Sequence, residues 1–411
     1  MARRAREDGE GSIFPYRNGF AAYVWVETQT GEKKRKYVYG KSREEVHDKW
    51  IKLHAEAAKG PVSTTATERI GQHLWKWHEN VVTLNSAPLT AKTYETFLRL
   101  YIIPGLGAES FARLTVAKAQ AWMNKLARTC QCCAQGKDAA RKPDKQKCCA
   151  VGKCCGGYLS RRSLFDIRAC ARAGINYAIV EDKCQRNPVT LIKIPKVEGR
   201  MRVKKTRRWS TADLLAFLVS AKEDDDPMYA AYVLVLVNAL RKGEALGLPL
   251  DSVDLARKEL DICYQLQRVD GKLLHRETKT PASDDTMPLV DLAERALRGR
   301  LRQRELDRQA ADVAWQECGL VFTTRLGTPI EPRNFYRSWV RRCEKAGVPV
   351  ISVHGARRLC ASLLAELGVH PRVAMRILRH ANLKTTMEIY TDVSEEQTRE
   401  ALEKLSDLLG A

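Results

Sequence analysis

Five basic residues and one tyrosine in the second half of the chain are of types that bind phosphate groups and transfer protons. In chain order they are Arg241, Lys279, His354, Arg357, His380 and Tyr390. His354 and Arg357 are three residues apart, which places both on one face of a helix start, and Tyr390 follows His380 by ten residues. Taken singly, each has an ordinary structural interpretation, as a helix-end arginine, a surface lysine, a capping histidine or an amphipathic tyrosine. Any functional prediction therefore depends on their order and spacing.

In that order and spacing, these residues resemble the signature of the tyrosine recombinase, or phage integrase, family. The resemblance is carried by the Arg-Lys-Gly-Glu box at 241–244, by His-x-x-Arg at 354–357, by the second histidine and by Ile-Tyr-Thr-Asp-Val at 389–393. It covers residues 210–411 strongly and residues 65–190 in their helical pattern, and residues 11–58 resemble the small AP2-like arm-binding domain of some integrases. It implies a site-specific recombinase that integrates and excises a mobile element, a viral genome included, by breaking and rejoining DNA strands.

The resemblance also implies a role for each residue. Tyr390 is the nucleophile that forms a covalent 3′-phosphotyrosine and releases a 5′-hydroxyl, which conserves the phosphodiester energy, so that rejoining needs no ATP and catalysis no cofactor. Arg241 and Arg357 clamp the phosphate oxygens. Lys279 is the general acid for the leaving oxygen, and His354 and His380 hydrogen-bond the phosphate and assist proton transfer.

Six positions near these motifs complete or depart from the family pattern. Glu244 matches an acidic residue that supports the first arginine. The family usually has Thr-Gly where this chain has Asn238 and Ala239, and usually has glycine before the second histidine, where this chain has Arg379. After His-x-x-Arg the family often continues His-Thr, whereas Arg358 and a leucine follow here. No departure removes a catalytic group.

The charge distribution points to nucleic acid. The chain of 411 residues has 70 Lys plus Arg against 49 Asp plus Glu, a net charge of +21, of which residues 61–200 carry +13. Such an excess predicts a phosphate-facing surface whose binding weakens as salt rises, although a solvated, solubilising face has the same composition. The hydrophobic content of 44% excludes wholesale disorder.

The sequence gives no indication of a membrane or of secretion. The longest apolar run, Met228–Leu240, is 13 residues long, short of the roughly 20 that span a bilayer. The first residues lack the apolar stretch of a secretory signal. We therefore expect no membrane partner and a location in the bacterial cytosol, associated with the nucleoid.

Seven of the 13 cysteines fall within 26 residues. Cys130, Cys133, Cys149 and Cys154 offer four thiolates at structural-zinc spacing, and Cys132, Cys148 and Cys155 are further candidate ligands. Without a secretion signal, a disulfide framework is disfavoured because the cytosol keeps thiols reduced. The sequence leaves open whether these cysteines bind a structural zinc or are reduced thiols without metal, and it does not determine which of them would be the ligands.

The fold predicted from these patterns is mainly α with small β-sheets, in a three-domain tyrosine-recombinase architecture. The predicted segments are an AP2-like arm-type DNA-binding domain at 1–60, a helical core-site-binding domain at 65–195 with a Cys-rich insertion at 129–156, a basic linker at 196–208, a catalytic domain at 209–393 and a C-terminal docking helix at 394–411. The last helix has an apolar stripe that either folds back on its own domain or docks on a neighbouring protomer.

Several elements are predicted in more detail. Strands at Phe20–Glu27 and Lys34–Tyr39 should form an antiparallel sheet with a basic-aromatic face, and Ser42 with Glu45 should form a capping box for the helix that covers the other face. In the catalytic segment we expect a buried helix over Met228–Leu240. One small sheet should contain Leu260–Val269, Lys272–Glu277 and Thr286–Val290.

The expected partners follow from the recombinase prediction. They are double-stranded DNA attachment sites of core and arm type, three further copies of the chain in a homotetramer on DNA, a directionality factor and a host DNA-bending protein. The sequence also has three alternative interpretations. They are a chromosome-dimer-resolving recombinase, a topoisomerase-like enzyme with the same chemistry and a zinc-containing DNA-binding regulator. The N-terminal sheet favours the integrase, and the six occupied catalytic positions argue against a regulator with a decayed site.

Overall fold

The computed structural model describes residues 13–27, 33–58, 68–196, 209–278 and 285–379, with a few single residues beyond 379. The chain divides into two compact units, Met1–Gly199 and Arg200–Ala411. The division falls inside the segment predicted as a linker, and the finer domain boundaries stay predictions. The fold is mainly helical with small antiparallel sheets, as predicted. None of the described helices combines the length and apolar character needed to cross a membrane.

The first described elements form the predicted small sheet and its covering helix. Strands β1 (Phe14–Tyr16), β2 (Gly19–Glu27) and β3 (Lys33–Gly40) pair antiparallel in chain order, and helix α1 (Arg43–Ala57) follows. Alternation along β2 directs its even-numbered residues towards α1. Val24 and Val26 are buried there, packed with Leu53 and Trp50 of the helix.

Only one half of the predicted capping box is present at the start of α1. The Ser42 hydroxyl accepts a hydrogen bond from the Glu45 N–H at 3.2 Å. The Glu45 carboxylate, however, accepts from the N–H of Lys41 at 2.8 Å instead of from that of Ser42. The side chain thus reaches one residue further back and ties the helix start to the end of β3.

The remainder of the first unit is helical. Its helices are α2 (Ile70–Trp77), α3 (Thr83–Asn85), α4 (Pro88–Phe97), α5 (Ile103–Leu106), α6 (Val116–Arg128), α7 (Gln131–Ala134) and α8 (Arg161–Val180). Thr115 caps α6 by accepting from the Lys118 N–H, and Ser160 caps α8 by accepting from the Ser163 N–H. The cysteine-rich segment lies between α6 and α8, where the sequence predicted an insertion between two helices.

The second unit contains the remaining elements. They are α9 (Thr211–Glu223), α10 (Tyr229–Leu236), α11 (Lys242–Leu246), β4 (Val253–Asp254), β5 (Glu259–Ile262), β6 (Tyr264–Val269), β7 (Lys272–Glu277), β8 (Asp285–Pro288), α12 (Asp291–Ala311), α13 (Pro332–Lys345), α14 (Val353–Glu366) and α15 (Pro371–Ile377). Helix α10 is buried on nearly all sides and packs against α12 and α14. An aromatic cluster that includes Phe217, Tyr232 and Trp339 fills the space between α9, α10 and α13.

Two predictions for this unit are wrong in detail. The buried helix ends at Leu236 and does not reach Leu240, because the backbone turns through a left-handed residue, Ala239 (φ 52°), into α11. The predicted single sheet is two: β4, β5 and β8 form one, and β6 with β7 forms a separate hairpin. The hairpin packs against α11, where Gly247 allows the close approach, since a Cβ there would lie 2.5 Å from the Leu266 nitrogen.

Candidate active site

Arg241 lies at the start of α11 and is held by Glu244, one turn into the same helix. The Arg241 N–H donates to Glu244 Oε2 at 2.8 Å, and the guanidinium Nη1 donates to Oε1 at 2.5 Å. The Glu244 side chain is only 3% exposed, whereas that of Arg241 is 40% exposed. One end of the guanidinium is therefore fixed in the protein while the group keeps contact with solvent.

Helix α14 supplies the second pair of predicted residues. Ser352 caps it by accepting from the Gly355 N–H at 2.9 Å, and this start places His354 and Arg357 on one face, as their spacing predicted. The Arg357 side chain is buried, and its Nη1 donates to the Ala239 carbonyl. Among the described residues, nothing accepts a hydrogen bond from its Nη2.

These residues line a common cleft of about 410 Å³, which we call the arginine cleft. Its lining residues are Leu240, Arg241, Lys242, Gly243, Tyr336, Ser352, Val353, His354 and Arg357. Burial, followed by the charges of Arg241 and Arg379, lowers the pKa of Arg357 to about 9. Burial and the charges of Arg358, Arg357 and Arg241 also lower the pKa of His354. The cleft is thus a concentration of positive charge with little local compensation, which suits an oxyanion.

Arg379 is a member of this site that sequence reasoning did not single out as functional. It is 2% exposed, and its Nη2 donates to Glu244 Oε2 at 2.6 Å. Its Nη1 contacts the Met287 sulfur at 2.7 Å, and its carbonyl accepts from Arg241 Nη2 at 3.4 Å. Glu244 is therefore shared by two arginines that are 138 residues apart in the chain.

The shared carboxylate stays ionised in this setting. Burial alone would raise the pKa of Glu244, but the charges of Arg379 and Arg241 outweigh it and lower the pKa below the ordinary value of 4.5. A buried charge is tolerated when it is paired and hydrogen-bonded on all sides. Glu244 meets this condition through both arginines and the Arg241 backbone.

The two departures from the family's glycines share one backbone feature. Ala239 and Arg379 both adopt left-handed backbone, with φ of 52° and 47°, which glycine adopts without cost and other residues adopt at roughly 1 kcal/mol. The family pattern of glycine at these positions is the signal that could have indicated the backbone conformation. The contact of Arg379 with Glu244 had no such signal.

Three predicted catalytic residues, Lys279, His380 and Tyr390, lie outside the described residues, as does the predicted docking helix after Ser394. In sequence, Lys279 comes two residues after the end of β7 and His380 directly follows Arg379. Of the six predicted catalytic residues, the structure therefore brings together Arg241, His354 and Arg357.

The seven clustered cysteines come together in the first unit. The sulfurs of Cys130, Cys133, Cys149 and Cys154 lie within 4.8 Å of one another, which is the set predicted from spacing. All seven are free thiols. Backbone N–H groups of Cys133, Cys132 and Gly157 lower the pKa of the Cys130 thiol to about 6 despite its burial, whereas the neighbouring thiol of Cys149 raises the pKa of Cys133.

The outer face of the N-terminal sheet has the predicted mixture of basic and aromatic side chains. Tyr23 pairs with Tyr37 and Trp25 with Arg35 across β2 and β3. The Arg35 guanidinium lies over the Trp25 ring at 4.7 Å and the Tyr23 ring at 4.8 Å. Trp25 and Tyr39 are at least half exposed. These side chains present rings and cations to solvent on the side away from α1.

Comparison with known proteins gives consistent results. The profile of the phage integrase family matches residues 209–397. A XerC-like tyrosine recombinase of Caldanaerobacter subterraneus is 26% identical over 92% of this chain and 93% of its own length. The tyrosine recombinase XerC of Azotobacter vinelandii is 30% identical over 56% of this chain and 70% of its own. The integrase of transposon Tn1549, solved with transposon right end DNA, has the same fold with a TM-score of 0.63 at 17% identity, over 82% of this chain and all of that one.

The chain therefore belongs to the phage integrase family, and it is a tyrosine site-specific recombinase.

Proposed function

We propose that this recombinase integrates and excises a mobile element through attack of Tyr390 on a phosphodiester held in the arginine cleft. The observation that carries the proposal is the meeting of Arg241, His354 and Arg357 in one cleft, with the Arg357 Nη2 left for a further acceptor. A scissile phosphate supplies that acceptor and the negative charge that the cleft lacks.

In the proposed reaction, the Tyr390 oxygen forms a bond to phosphorus as the bond to the 5′ oxygen breaks, and one of the two histidines accepts the hydroxyl proton that the tyrosine loses. Lys279 donates a proton to that leaving oxygen, which departs as a hydroxyl, and a 3′-phosphotyrosine remains. The two arginines stabilise the charge that builds on the non-bridging oxygens. Rejoining is the reverse step with the 5′-hydroxyl of another strand, so the bond energy is conserved.

The histidine of the cleft acts as a neutral group in this scheme. Because the pKa of His354 lies below its ordinary value of 6.5, the ring is uncharged at pH 7. It can then donate one hydrogen bond to a phosphate oxygen without adding a third cation to the cleft. His380 is proposed to make a second hydrogen bond to the phosphate.

DNA contacts outside the arginine cleft are proposed to come from two parts of the first unit. The excess of +13 charges in residues 61–200 suits the backbone of a core site. The basic-aromatic face of the N-terminal sheet suits an arm site, since cations and exposed rings together bind nucleic acid. The DNA complex of the Tn1549 integrase supports duplex DNA as the substrate. The tetramer, the directionality factor, the host DNA-bending protein and the cytosolic location belong to the same proposal.

A structural zinc on Cys130, Cys133, Cys149 and Cys154 is part of the proposal, and no metal is proposed for catalysis. The sulfur grouping supports it. Zinc there would stabilise the insertion between α6 and α8 and leave the cleavage chemistry untouched.

A covalent trapping experiment tests the proposal. The protein is mixed with duplex DNA that carries a nick near the cleavage position, so that the short cleaved product diffuses away and the adduct accumulates. We expect an adduct with the unmodified protein and with Tyr158→Phe, an exposed tyrosine of the first unit. Tyr390→Phe should bind the same DNA and give no adduct. An adduct of undiminished yield in Tyr390→Phe contradicts the assignment.

A second candidate, a chromosome-dimer-resolving recombinase, is favoured by the XerC-like relatives. Integrases, such as that of ICEBs1 in Bacillus subtilis, which is 24% identical over 61% of this chain, favour a mobile element. Recombination assays on plasmids separate the two candidates. A chromosome-dimer-resolving recombinase should recombine a plasmid that carries two chromosomal dimer sites, whereas an integrase should recombine a plasmid that carries the two ends of the element in which the gene lies. Relaxation of a plasmid with neither site would instead identify a topoisomerase-like enzyme.

A further inference from the structure

The seven clustered cysteines form two groups of four, and Cys149 belongs to both. The first group is Cys130, Cys133, Cys149 and Cys154, and the second is Cys132, Cys148, Cys149 and Cys155. Within each group every sulfur lies within 4.8 Å of every other. Seven thiolates are also the number that two four-coordinate metal ions require when they share one ligand.

The sulfur separations are close to those around a tetrahedral zinc ion. A Zn–S bond of about 2.3 Å places neighbouring sulfurs ~3.8 Å apart. The Cys133–Cys154 and Cys132–Cys148 pairs are both at 3.8 Å, and Cys149 is 3.9 Å from Cys155 and 4.0 Å from Cys130. The Cys133–Cys149 pair, at 2.9 Å, is closer than this edge and would have to widen on metal binding.

The composition of the insertion supports metal binding independently of the sulfur geometry. Apart from cysteines, the apolar side chains of residues 131–157 are four alanines and Val151, and Val151 is 52% exposed. None of these residues belongs to a hydrophobic cluster of the described structure. A segment without an apolar core needs another source of folding free energy, and bound metal is a common one.

A buried carboxylate shapes the loop that carries the shared ligand. Asp138 is fully buried, and its oxygens accept from the N–H groups of Cys148 at 2.9 Å and Ala150 at 3.1 Å. It also accepts from Arg141 Nη1 at 2.7 Å. These contacts fix the backbone on both sides of Cys149. The Asp138 carboxylate thus positions the Cys149 sulfur and is not itself one of the candidate ligands.

We propose that the insertion holds two zinc ions, one in each group, bridged by the thiolate of Cys149. Thiolate ligands alone favour zinc among the common cellular metals that lack redox chemistry. A shared ligand explains why seven cysteines occur where one zinc needs four. The pair of ions would hold the lysine-rich loop at 137–147 as one rigid unit between α6 and α8. The proposal does not depend on the recombination chemistry.

Metal counting on the full-length protein is the first test. The protein is purified with zinc in the medium, dialysed against a weak chelator and analysed for metal by mass spectrometry. We expect two zinc ions per chain. One ion per chain overturns the bridge and leaves the single-zinc site, and no zinc, or iron with inorganic sulfide, overturns both.

Four variants assign the ions. Cys154→Ser and Cys148→Ser each remove a ligand from one group only, so each should retain one ion after the chelator. Cys149→Ser removes a ligand from both and should retain none. Cys318→Ser, in the second unit and outside the cluster, is the matched control and should retain two. Retention of one ion by Cys149→Ser would show that the groups do not share it.

A measurement on the unmodified protein keeps the proposal testable if a variant does not fold. Zinc is exchanged for cadmium-113 and the nuclear resonance spectrum is recorded. We expect two resonances in the range of sulfur-only coordination, each split by coupling to the other ion through the shared sulfur. Two unsplit resonances or a single resonance would overturn the bridge.

Discussion

The arginine cleft and the cysteine-rich insertion are both built from clustered reactive side chains, but different forces hold them in place. The cleft lies on a large hydrophobic core, in which α10 and its aromatic neighbours are almost fully buried. The insertion has no apolar core and depends on Asp138 and on its sulfurs. Packing thus holds the buried charge of Arg357 ready for a ligand, whereas the insertion, which lacks such packing, is proposed to fold only with bound metal.

The largest expected effect follows from metal removal. A strong chelator should unfold the insertion and leave the core around α10 intact, because metal is proposed to bind only in the insertion. Amide hydrogen exchange should show protection in the insertion falling by at least ~10³-fold, with protection of α10 and α14 unchanged. A chain first reloaded with zinc is the control. Protection of the insertion that survives chelation would contradict the prediction that the insertion needs metal in order to fold.

A second expected effect tests the cleft itself. Arg357→Ala removes the buried guanidinium whose Nη2 lacks a described acceptor, and we expect the single-turnover cleavage rate at saturating DNA to fall about 10²–10³-fold. Arg358→Ala, the exposed neighbour on the same helix, is the matched control and should stay within a few-fold of the unmodified protein. Equal losses in the two variants would mean that general charge and not the clamp is responsible.

Local patterns in the sequence predicted those parts of the fold that depend on nearby residues. The paired strands β2 and β3, the Ser42 cap of α1 and the position of the insertion between α6 and α8 all follow from such patterns, and the structure contains each. The cysteine spacing likewise identified one of the two sulfur groups.

Contacts between distant segments could not be predicted in this way. The ion pair between Arg379 and Glu244 joins residues 135 apart, and no local pattern encodes it. The division of the strands into two sheets depends on α11 packing against β6, which is again a tertiary contact. The membership of Cys149 in both sulfur groups depends on the fold of the insertion, and the sequence of the insertion has almost no hydrophobic pattern from which that fold could be predicted.

A third, smaller effect is expected for Arg379→Gly, which restores the glycine of the family pattern. The change relieves the left-handed backbone but leaves Glu244 with Arg241 as its one remaining arginine. We expect the cleavage rate to fall about 10- to 100-fold, because Arg241 loses a fixed partner and shifts. Arg379→Lys is the control that keeps a charge at this position, and it should recover part of the rate. An undiminished rate in Arg379→Gly would show that the residue is structural only.

The same variant has a definite pH dependence. The depressed pKa of Glu244 contributes stability above its unfolded value of about 4.5, and this stability is lost as pH falls through the folded pKa. Without Arg379 the depression is smaller. The unfolding free energy of Arg379→Gly should therefore fall by a smaller amount than that of the unmodified protein as the pH decreases below about 4.5, as followed by urea unfolding between about pH 6 and pH 3. Identical pH profiles would mean that Arg379 does not act through Glu244.

The smallest effect is expected at the other left-handed residue. Ala239→Gly relieves strain of roughly 1 kcal/mol but removes a fully buried methyl group that packs with Cys360, Ala361 and Leu378, worth about 0.8 kcal/mol. The two terms nearly cancel, so the unfolding free energy should change by less than ~0.5 kcal/mol. The Ala239 carbonyl still accepts from Arg357, so the cleavage rate should stay within about twofold. A tenfold loss would show that this departure from the family pattern also positions the clamp.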